Sequence, residues 1–255
     1  MTHELKHLFG EEGGLALNAA LRAQPLLAFD FDGTLAPIVA RPDDAHVAVE
    51  VSQRLERLAR IRPLAIVTGR SVEDVTRRLG FTARFIVGNH GAEEAGRPAV
   101  FETAAMDVVR ARLDVRAGEL LAAGIQVEDK GYSLALHYRL APDRRMAATR
   151  IEAILVDLDP MLRCFPGKCV FNVVAADAPD KYDAILSLVR RAGCGLAVFV
   201  GDDVNDDAVF VRSQPNWLTV RVGRDDPESC AAFFLDCHAE VPVLLEKMLR
   251  VLEAS

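Results

Sequence analysis

The sequence lacks the paired cysteines on which disulfide scaffolds and zinc sites are built. It has five cysteines, an odd number, and no two of them form a C-x-x-C pair. They are Cys164, Cys169, Cys194, Cys230 and Cys237. We therefore interpret them as small buried thiols with no bridging or metal-binding role.

Long apolar runs are missing as well. No run approaches the roughly 18 apolar residues that a membrane-spanning helix needs. The N-terminal stretch MTHELKHLFGEEGG is acidic rather than basic, and Arg22 interrupts the apolar residues that follow, which argues against a secretory signal. The sequence thus predicts a cytoplasmic protein without a membrane partner.

An excess of positive charge is the third missing feature. The 255 residues include 37 acidic and 30 basic side chains, which leaves a formal net charge of −7. Because neutralising a phosphate backbone requires clustered Lys and Arg, we predict no nucleic-acid partner. A hydrophobic fraction of 51% and a charged fraction of 26% are ordinary for a globular protein. The length accommodates one large domain or a core with a smaller domain.

Short apolar runs alternate with helical patterns, which is typical of β-α units. Residues 51–61 carry apolar side chains at helical spacing, and SVED at 71–74 is typical of a capping box that opens the next helix. Four runs are apolar enough to be strands buried on both faces: 26–29, 63–67, 84–88 and 196–200. The pattern predicts an α/β fold with a mostly parallel sheet flanked by helices.

The middle third of the chain has a different pattern. A helix is predicted over 106–123, a hairpin turn at 129–131, a second helix over 144–158 and a second hairpin turn at 166–168. This αββαββ order predicts a small α+β domain at 106–176. The domain is inserted into a core formed by 1–105 and 177–255.

Both predicted hairpins of this inserted domain present polar residues on one face. In the strand after the first turn, the apolar side chains fall on a packed face, and His137 and Arg139 fall on an available one. In the strand after the second turn, Lys168 and Asn172 share one side. His137 and Arg139 have two open interpretations, as ligand contacts or as decoration of a sheet face.

Polar residues end several of the predicted strands. Ligands of open α/β sheets bind at the carboxyl ends of the strands, where one crevice would collect these residues. Taken singly, each has a plainer explanation, such as a turn, a strand end, a solvated loop or a surface lysine. The set comprises Asp30 and Asp32 after the first strand, Thr68, Gly69 and Arg70 after the second, Asp202, Asp203 and Asp206 after the last, and Lys181 at a helix start.

The acidic loop does not fit a calcium-binding loop. Ala208 stands where such a loop requires glycine, and Gln214 stands where it requires a bidentate Glu. Converging carboxylates nevertheless repel each other unless a cation binds among them, and Mg²⁺ suits hard carboxylate oxygens with room for water and phosphate. The loop therefore indicates a Mg²⁺ site.

A bound phosphate would give each residue type a role. Asp30 would be the nucleophile, and Asp32 the general acid and base. Thr68 would donate a hydrogen bond to a phosphate oxygen, and Lys181 would neutralise charge on the phosphate. Asp202 would be a metal ligand, with Asp203 and Asp206 supporting the metal site.

Four motifs together resemble those of haloacid dehalogenase-superfamily phosphatases: DFDGTL, VTGR, Lys181 and GDDVND. Within that superfamily, GNHGAE (88–93), GYSLALHYR (131–139) and GKCVFN (167–172) are similar to the trehalose-6-phosphate phosphatases. The resemblance covers nearly the whole chain. It implies a Rossmannoid core with an inserted αββαββ cap domain for sugar recognition. It also implies Mg²⁺-dependent hydrolysis of a small-molecule sugar phosphate, trehalose 6-phosphate, through an aspartyl-phosphate.

The resemblance further implies roles for individual residues. Asp30 is then the nucleophile and Asp32 the general acid and base, and Mg²⁺ is held by Asp30, Asp202 and the backbone carbonyl of Asp32. His90 and Glu93 also fit an ordinary turn. With His137 and Arg139 included, the predicted substrate-binding residues are Gly69, Arg70, His90, Glu93, His137, Arg139, Lys168 and Asn172.

The sequence departs from the family in three places. Asn172 stands where the family has Glu, Val174 and Ala175 stand where it has a basic residue and Pro, and Tyr182 follows the lysine where it has Gly. A related phosphatase for sucrose phosphate or mannosyl phosphoglycerate is therefore an alternative. A receiver-like phosphoacceptor module is opposed by the inserted domain, and a binding protein without turnover is opposed by the presence of both motif aspartates.

Overall fold

The computed structural model describes residues 6–39, 41–97 and 104–254. Residues 1–5, part of the stretch from which we predict no secretory signal, lie outside the described residues. The helices in these ranges are Glu11–Arg22 (α1), Val49–Ile61 (α2), Val72–Leu79 (α3), Ala104–Asp114 (α4), Ala117–Ala122 (α5), Arg144–Ile154 (α6), Lys181–Ala192 (α7), Asp207–Arg212 (α8) and Val241–Glu253 (α9). Among the described residues, none of these helices is long and apolar enough to cross a membrane.

Strands make up two separate sheets. They are Lys6–His7 (β1), Leu26–Phe29 (β2), Leu64–Val67 (β3), Phe85–Gly88 (β4), Glu93–Glu94 (β5), Gln126–Asp129 (β6), Ser133–His137 (β7), Leu162–Gly167 (β8), Val170–Ala175 (β9), Ala197–Gly201 (β10), Leu218–Val222 (β11) and Phe233–Leu235 (β12). The chain divides into two compact units, which we call the core unit (Met1–Ala95 with Asp180–Ser255) and the inserted unit (Gly96–Pro179). The predicted range 106–176 lies inside the inserted unit.

The core unit is built on an eight-stranded sheet in the order β1-β12-β11-β10-β2-β3-β4-β5. All neighbours are parallel except β4 and β5. Every residue of β2, β3 and β10 is buried, because helices cover both faces of a parallel sheet and the strands must be apolar throughout. The four predicted strands are confirmed as β2, β3, β4 and β10.

Helix α2 has the predicted apolar stripe, and its Val51, Leu55 and Leu58 are buried in the hydrophobic core of this unit. Helix α3 begins at Ser71, whose side chain accepts a hydrogen bond from the Asp74 amide. The Asp74 carboxylate accepts bonds from Arg70 and Arg78. Of the predicted capping box, the structure of this segment therefore shows the bond to the Ser71 side chain, whereas the Asp74 carboxylate binds arginines instead.

The inserted unit is a four-stranded antiparallel sheet in the order β6-β7-β9-β8, packed against its own helices. Leu134 and Leu136 of β7 and Val173 of β9 contribute to its hydrophobic core, which confirms the predicted packed face. The helix predicted over 106–123 is two helices, because the Arg116 amide bonds the Leu113 carbonyl and tightens the chain between α4 and α5.

Two further predictions about this chain are wrong in detail. The helix predicted over 144–158 ends at Ile154. The cysteines are not buried thiols, because Cys164, Cys230 and Cys237 are exposed. Cys164 lies on β8, an edge strand of its sheet, and the other two lie near the short strand β12. All five cysteines are free.

We expect Leu136→Ala to loosen the inserted unit, because Leu136 is fully buried and such a truncation costs about 2–5 kcal/mol. Backbone amides of β7 and β9 should then exchange with solvent about 100-fold faster, measured by hydrogen exchange. Leu121→Ala is the matched control, since Leu121 is 75% exposed and should leave the exchange unchanged. Equal exchange in the two variants would contradict this core assignment.

Candidate active site

Three adjacent strands bring the predicted catalytic groups to one edge of the core sheet. Asp30, Thr68 and Asp202 each directly follow the last residue of β2, β3 and β10. The Asp30 amide donates to the Val200 carbonyl at 2.9 Å, which continues the strand pairing up to the carboxylate. The carboxyl ends of parallel strands meet at one edge, so residues distant in sequence converge there.

A buried lysine lies at the centre of this edge. Lys181 Nζ donates to Asp30 Oδ1 at 2.8 Å and to Asp206 Oδ1 at 2.6 Å, and all three side chains are buried. Burial lowers the pKa of Lys181, but Asp206 and Asp30 outweigh it and raise that pKa above its ordinary value. Burial, with the charges of Asp206 and Asp202, raises the pKa of Asp30 against the opposing effect of Lys181.

Helix α7 positions that lysine. Asp180 caps the helix, since its side chain accepts from the Asp183 amide and the Asp183 carboxylate accepts from the Asp180 amide. Tyr182, the departure from the family after Lys181, is buried in the core unit. Its ring lies 5.7 Å from that of Trp217, and Arg212 lies over it at 4.3 Å. Core packing thus accounts for a tyrosine at this position.

Asp206 shapes the acidic loop as well as holding the lysine. Its Oδ2 accepts from the amides of Asp202 and Asp203 at 2.8 and 3.0 Å. The Asp203 carboxylate accepts from the Val204 amide and the Asn205 side chain. Both residues therefore support the loop through hydrogen bonds within it, and the Asp202 carboxylate lies within 4.8 Å of that of Asp30.

Carboxylate oxygens of Asp30, Asp202 and Asp206 lie within 4.8 Å of one another. The oxygens of Asp206 already accept from Lys181 and two amides, so Asp30 and Asp202 are the pair suited to a divalent cation. Two carboxylates with space for water and phosphate are the usual donor set for Mg²⁺. The residues present therefore fit a Mg²⁺ ion.

The turn after Asp30 approaches the same carboxylate. Gly33 has a φ of +79°, and a Cβ there would collide with the Asp202 carboxylate, so only glycine allows this approach. The Thr34 hydroxyl next to it is buried and has no hydrogen-bond partner among the described residues. An oxygen-rich ligand such as phosphate would supply that partner.

Arg70 and Asp32 form a bidentate ion pair at the same edge. Arg70 Nε and Nη2 each donate to an Asp32 oxygen at 2.7 Å, and Nη1 donates to Asp74 Oδ2 at 2.7 Å. The Thr68 hydroxyl accepts from the Arg70 amide. Burial disfavours the charged guanidinium, but the bonds to Asp32 and Asp74 raise the pKa of Arg70 above its ordinary value.

The GNHGAE turn lies beside Thr68 and Arg70. The His90 amide donates to the Thr68 carbonyl at 3.0 Å, and a side chain at Gly69 would collide with the His90 ring. Glu93 Oε2 accepts from the Val72 amide at 2.9 Å and from Asn89 Nδ2 at 2.8 Å. Glu93 thus joins the turn to the start of α3. Asn89 belongs to this site as well, although the sequence analysis assigned it no role.

The other four predicted substrate-binding residues belong to the inserted unit. His137 Nε2 lies 2.9 Å from Glu128 Oε2, and Arg139 Nη2 donates to the Lys168 carbonyl at 2.9 Å. Asn172 is buried on β9 opposite Ala135 and Phe165, and its amide nitrogen has no hydrogen-bond partner among the described residues.

One prediction about these faces is wrong. Lys168 does not share a strand side with Asn172, because it lies with Cys169 in the two-residue turn between β8 and β9, where Cys169 has a φ of +63°. On the β7 face predicted to be available, Ser133 and Ala135 are buried, whereas His137 and Arg139 are half-buried.

A second group of potential ligands, His7, Asp236 and Glu240, also lies within 4.8 Å. His7 Nδ1 accepts from the Phe9 amide at 3.1 Å, so the neutral ring carries its proton on Nε2, 3.0 Å from Glu240. A protonated Nε2 cannot bind a metal. The contacts indicate a hydrogen bond that connects β1 with the segment before α9.

Comparisons with known proteins agree with this geometry. A family model described as trehalose-phosphatase matches residues 28–225. The trehalose-phosphate phosphatase of Mycolicibacterium paratuberculosis is 31% identical over 246 residues, covering 90% of this chain and 63% of that protein. The one of Mycobacterium tuberculosis is 29% identical over 256 residues, covering 95% and 65%. The chain thus spans less than two thirds of the length of these relatives.

Solved structures show the same fold. The C-terminal domain of Candida albicans trehalose-6-phosphate phosphatase matches with a TM-score of 0.80 at 20% identity, covering 98% of this chain and 99% of that one. A sugar phosphatase of HAD subclass IIB matches with a TM-score of 0.59 at 14% identity, covering 89% and 98%. The predicted haloacid dehalogenase-like α/β fold is confirmed.

The ion pairs of Asp74 with Arg70 and Arg78 predict that the stability of the protein depends on pH. Although burial opposes it, the bonds from Arg78 and Arg70 lower the pKa of Asp74 to about 2. A carboxyl with a lowered folded-state pKa stabilises the protein above its unfolded value of 3.8, and the contribution is lost as the pH falls towards 2. We expect Asp74→Asn to cost on the order of 1–2 kcal/mol at pH 7, or roughly 3–8 °C in thermal midpoint.

The difference in thermal midpoint between wild type and Asp74→Asn should shrink as the pH falls from 4 to 2. Thermal unfolding across that range measures it. Glu73→Gln is the matched control on the same helix, because Glu73 is 82% exposed and its pair with Arg77 contributes little. A difference that stayed constant across this range would contradict the assignment.

Proposed function

The chain belongs to the trehalose-phosphatase family, and from this premise we propose that it is a Mg²⁺-dependent phosphomonoesterase that hydrolyses trehalose 6-phosphate to trehalose and phosphate. One observation carries the proposal: Lys181, buried between Asp30 and Asp206 beside Asp202. A buried cation among carboxylates at the carboxyl edge of a parallel sheet is suited to phosphoryl transfer. A cytoplasmic location and the absence of nucleic-acid or membrane partners remain predictions.

Asp30 and Asp202 would hold the Mg²⁺ ion through their carboxylates, with the Asp32 carbonyl as a further ligand implied by the family. When bound, the ion supplies positive charge that offsets the repulsion between Asp30 and the phosphate dianion. Asp203 and Asp206 would support the ion through the loop. Without such a cation, burial raises the pKa of Asp30 above its ordinary value.

In the first step, a carboxylate oxygen of Asp30 attacks phosphorus, and the bond between phosphorus and the sugar oxygen breaks. Asp32 donates a proton to the departing oxygen, which leaves as the alcohol. Lys181 and Thr68 stabilise charge on the transferring group. The product of this step is an aspartyl-phosphate on Asp30.

In the second step, water attacks the phosphorus of the aspartyl-phosphate. Asp32, now ionised, takes the proton of that water, and the bond between phosphorus and the Asp30 oxygen breaks. Inorganic phosphate leaves, and both aspartates return to their starting protonation states. The reaction therefore balances with water as the only co-reactant.

The second candidate function is hydrolysis of a related sugar phosphate, such as sucrose phosphate or a mannosyl phosphoglycerate. The observation that favours it is Asn172, an amide where the family has a carboxylate. The amide nitrogen of Asn172 can donate a hydrogen bond, whereas an ionised carboxylate can only accept. The two side chains therefore favour differently arranged sugar hydroxyls.

Phosphate release from a panel of sugar phosphates, with and without Mg²⁺, tests the activity. We expect release from trehalose 6-phosphate that stops on chelation and returns with added Mg²⁺. Asp30→Asn should abolish turnover with the fold retained, because an amide oxygen is a poor nucleophile. Asp43→Asn is the control, since the Asp43 side chain is 95% exposed. Activity that survives exhaustive chelation, or wild-type turnover in Asp30→Asn, would refute the proposal.

Asn172→Leu tests whether the buried amide contacts the sugar. Loss of one such hydrogen bond should lower kcat/KM for trehalose 6-phosphate about tenfold and leave p-nitrophenyl phosphate unchanged. The thermal midpoint should not fall, because an amide nitrogen buried without a partner costs about 1–3 kcal/mol and leucine removes it. A variant that is less stable yet fully active on the sugar phosphate would show that the amide serves packing instead.

A further inference from the structure

The guanidinium of Arg70 holds both oxygens of the Asp32 carboxylate. The two bonds are each 2.7 Å and run in parallel from Nε and Nη2, the fork geometry that fits a carboxylate plane. These are the bonds to the Asp32 side chain in the described residues. The Asp32 side chain is 42% exposed, so without them it would be free to change rotamer.

Arg70 is itself held in place. Its guanidinium lies 5.3 Å from the ring centroid of Phe31, and Nη1 donates to Asp74 at 2.7 Å. Asp74 is in turn bound by Arg78 Nη2 at 2.7 Å. The Arg70 carbonyl accepts from the Asn89 amide at 2.8 Å. The arginine is therefore a fixed support, and the carboxylate at its end is the exposed member of the pair.

We propose that Arg70 is a positioning residue for Asp32, rather than a contact to the sugar. This inference rests on the proposed function, in which Asp32 transfers a proton to the leaving oxygen. Nε, Nη1 and Nη2 of Arg70 all donate to carboxylates of its own unit, which accounts for the guanidinium without a sugar. Proton transfer requires a carboxyl held within hydrogen-bond reach of the leaving oxygen, and the Arg70 fork supplies that restraint.

Both Asp32 oxygens accept from Arg70, so the fork fixes the plane and rotamer of the ionised carboxylate, the form that takes the proton of the attacking water. Arg70 neither gains nor loses a proton in this scheme, since guanidinium stays charged in proteins.

Aryl phosphates that differ in leaving group separate this role from sugar binding, since none contains a sugar. Hydrolysis of phenyl phosphate needs a general acid, because phenolate is a poor leaving group. Hydrolysis of dinitrophenyl phosphate hardly needs one, because dinitrophenolate is a good leaving group. We expect Arg70→Met to lower kcat/KM about 100-fold for phenyl phosphate and less than about fivefold for dinitrophenyl phosphate. Retained hydrolysis of the dinitrophenyl ester also shows that the variant is folded.

A double-mutant cycle with Asp32→Asn isolates the coupling. If Arg70 acts through Asp32, Arg70→Met should cause no further loss on phenyl phosphate in the Asp32→Asn background. Arg70→Lys keeps the charge without the fork and should fall between wild type and Arg70→Met. Arg77→Met is the control on α3, since the Arg77 side chain is 64% exposed.

Three outcomes would overturn the inference. Equal losses on all aryl esters would mean that Arg70 does not act through proton transfer. A loss confined to trehalose 6-phosphate, and undiminished with Asp32→Asn, would make Arg70 a sugar contact. A wild-type protein that hydrolyses no phosphate ester would overturn the proposed function and this inference with it, whereas the first two outcomes leave the proposed function intact.

Discussion

The buried contact of Lys181 with Asp30 and Asp206 is the interaction on which the candidate site depends. It joins three segments that are far apart in the chain: the end of β2, the start of α7 and the loop after β10. Moving such charges out of water costs several kcal/mol per ion, and removing one partner of a buried pair typically costs about 3–5 kcal/mol. A hydrophobic trio would fill the space at lower cost, so the charges point to chemistry at this position.

Close backbone packing makes that charge cluster compact. A Cβ at Gly33 would collide with the Asp202 carboxylate, and one at Gly201 would collide with that of Asp206. The two glycines therefore let the main chain lie directly against the acidic side chains. Amides of Asp202 and Asp203 then reach Asp206, and the loop is held by its own hydrogen bonds.

Arginines organise the next layer of the core unit. Arg70 links the Asp32 carboxylate to Asp74, and Arg212 binds Asp180 and Asp183 at the start of α7. Each guanidinium binds its two carboxylates through separate nitrogens, and the planar fork of Arg70 also allows the bidentate contact with Asp32, which an ammonium group does not offer. Acidic side chains of this layer are thus held by the guanidinium groups of neighbouring arginines.

The sequence by itself determined which strand ends carry the polar residues of the site. Asp30, Thr68 and Asp202 could be placed together because parallel strands share a carboxyl edge, so the end of each apolar run locates its polar residue. Apolar strands and the amphipathic stripe of α2 follow from local periodicity. The very short strands β1, β5 and β12 could not be predicted, since two or three residues carry no period.

Only the tertiary structure decided which side chains touch. That Arg70 holds Asp32, or that Glu93 accepts from the Val72 amide, depends on distances between residues 38 and 21 positions apart in the chain. The sequence motifs identified these residues but not the side chains and amides that they contact. The position of Lys168 in a turn, outside the strand of Asn172, was likewise set by the register between β8 and β9. Register and side-chain contact are long-range properties, and no local pattern contains them.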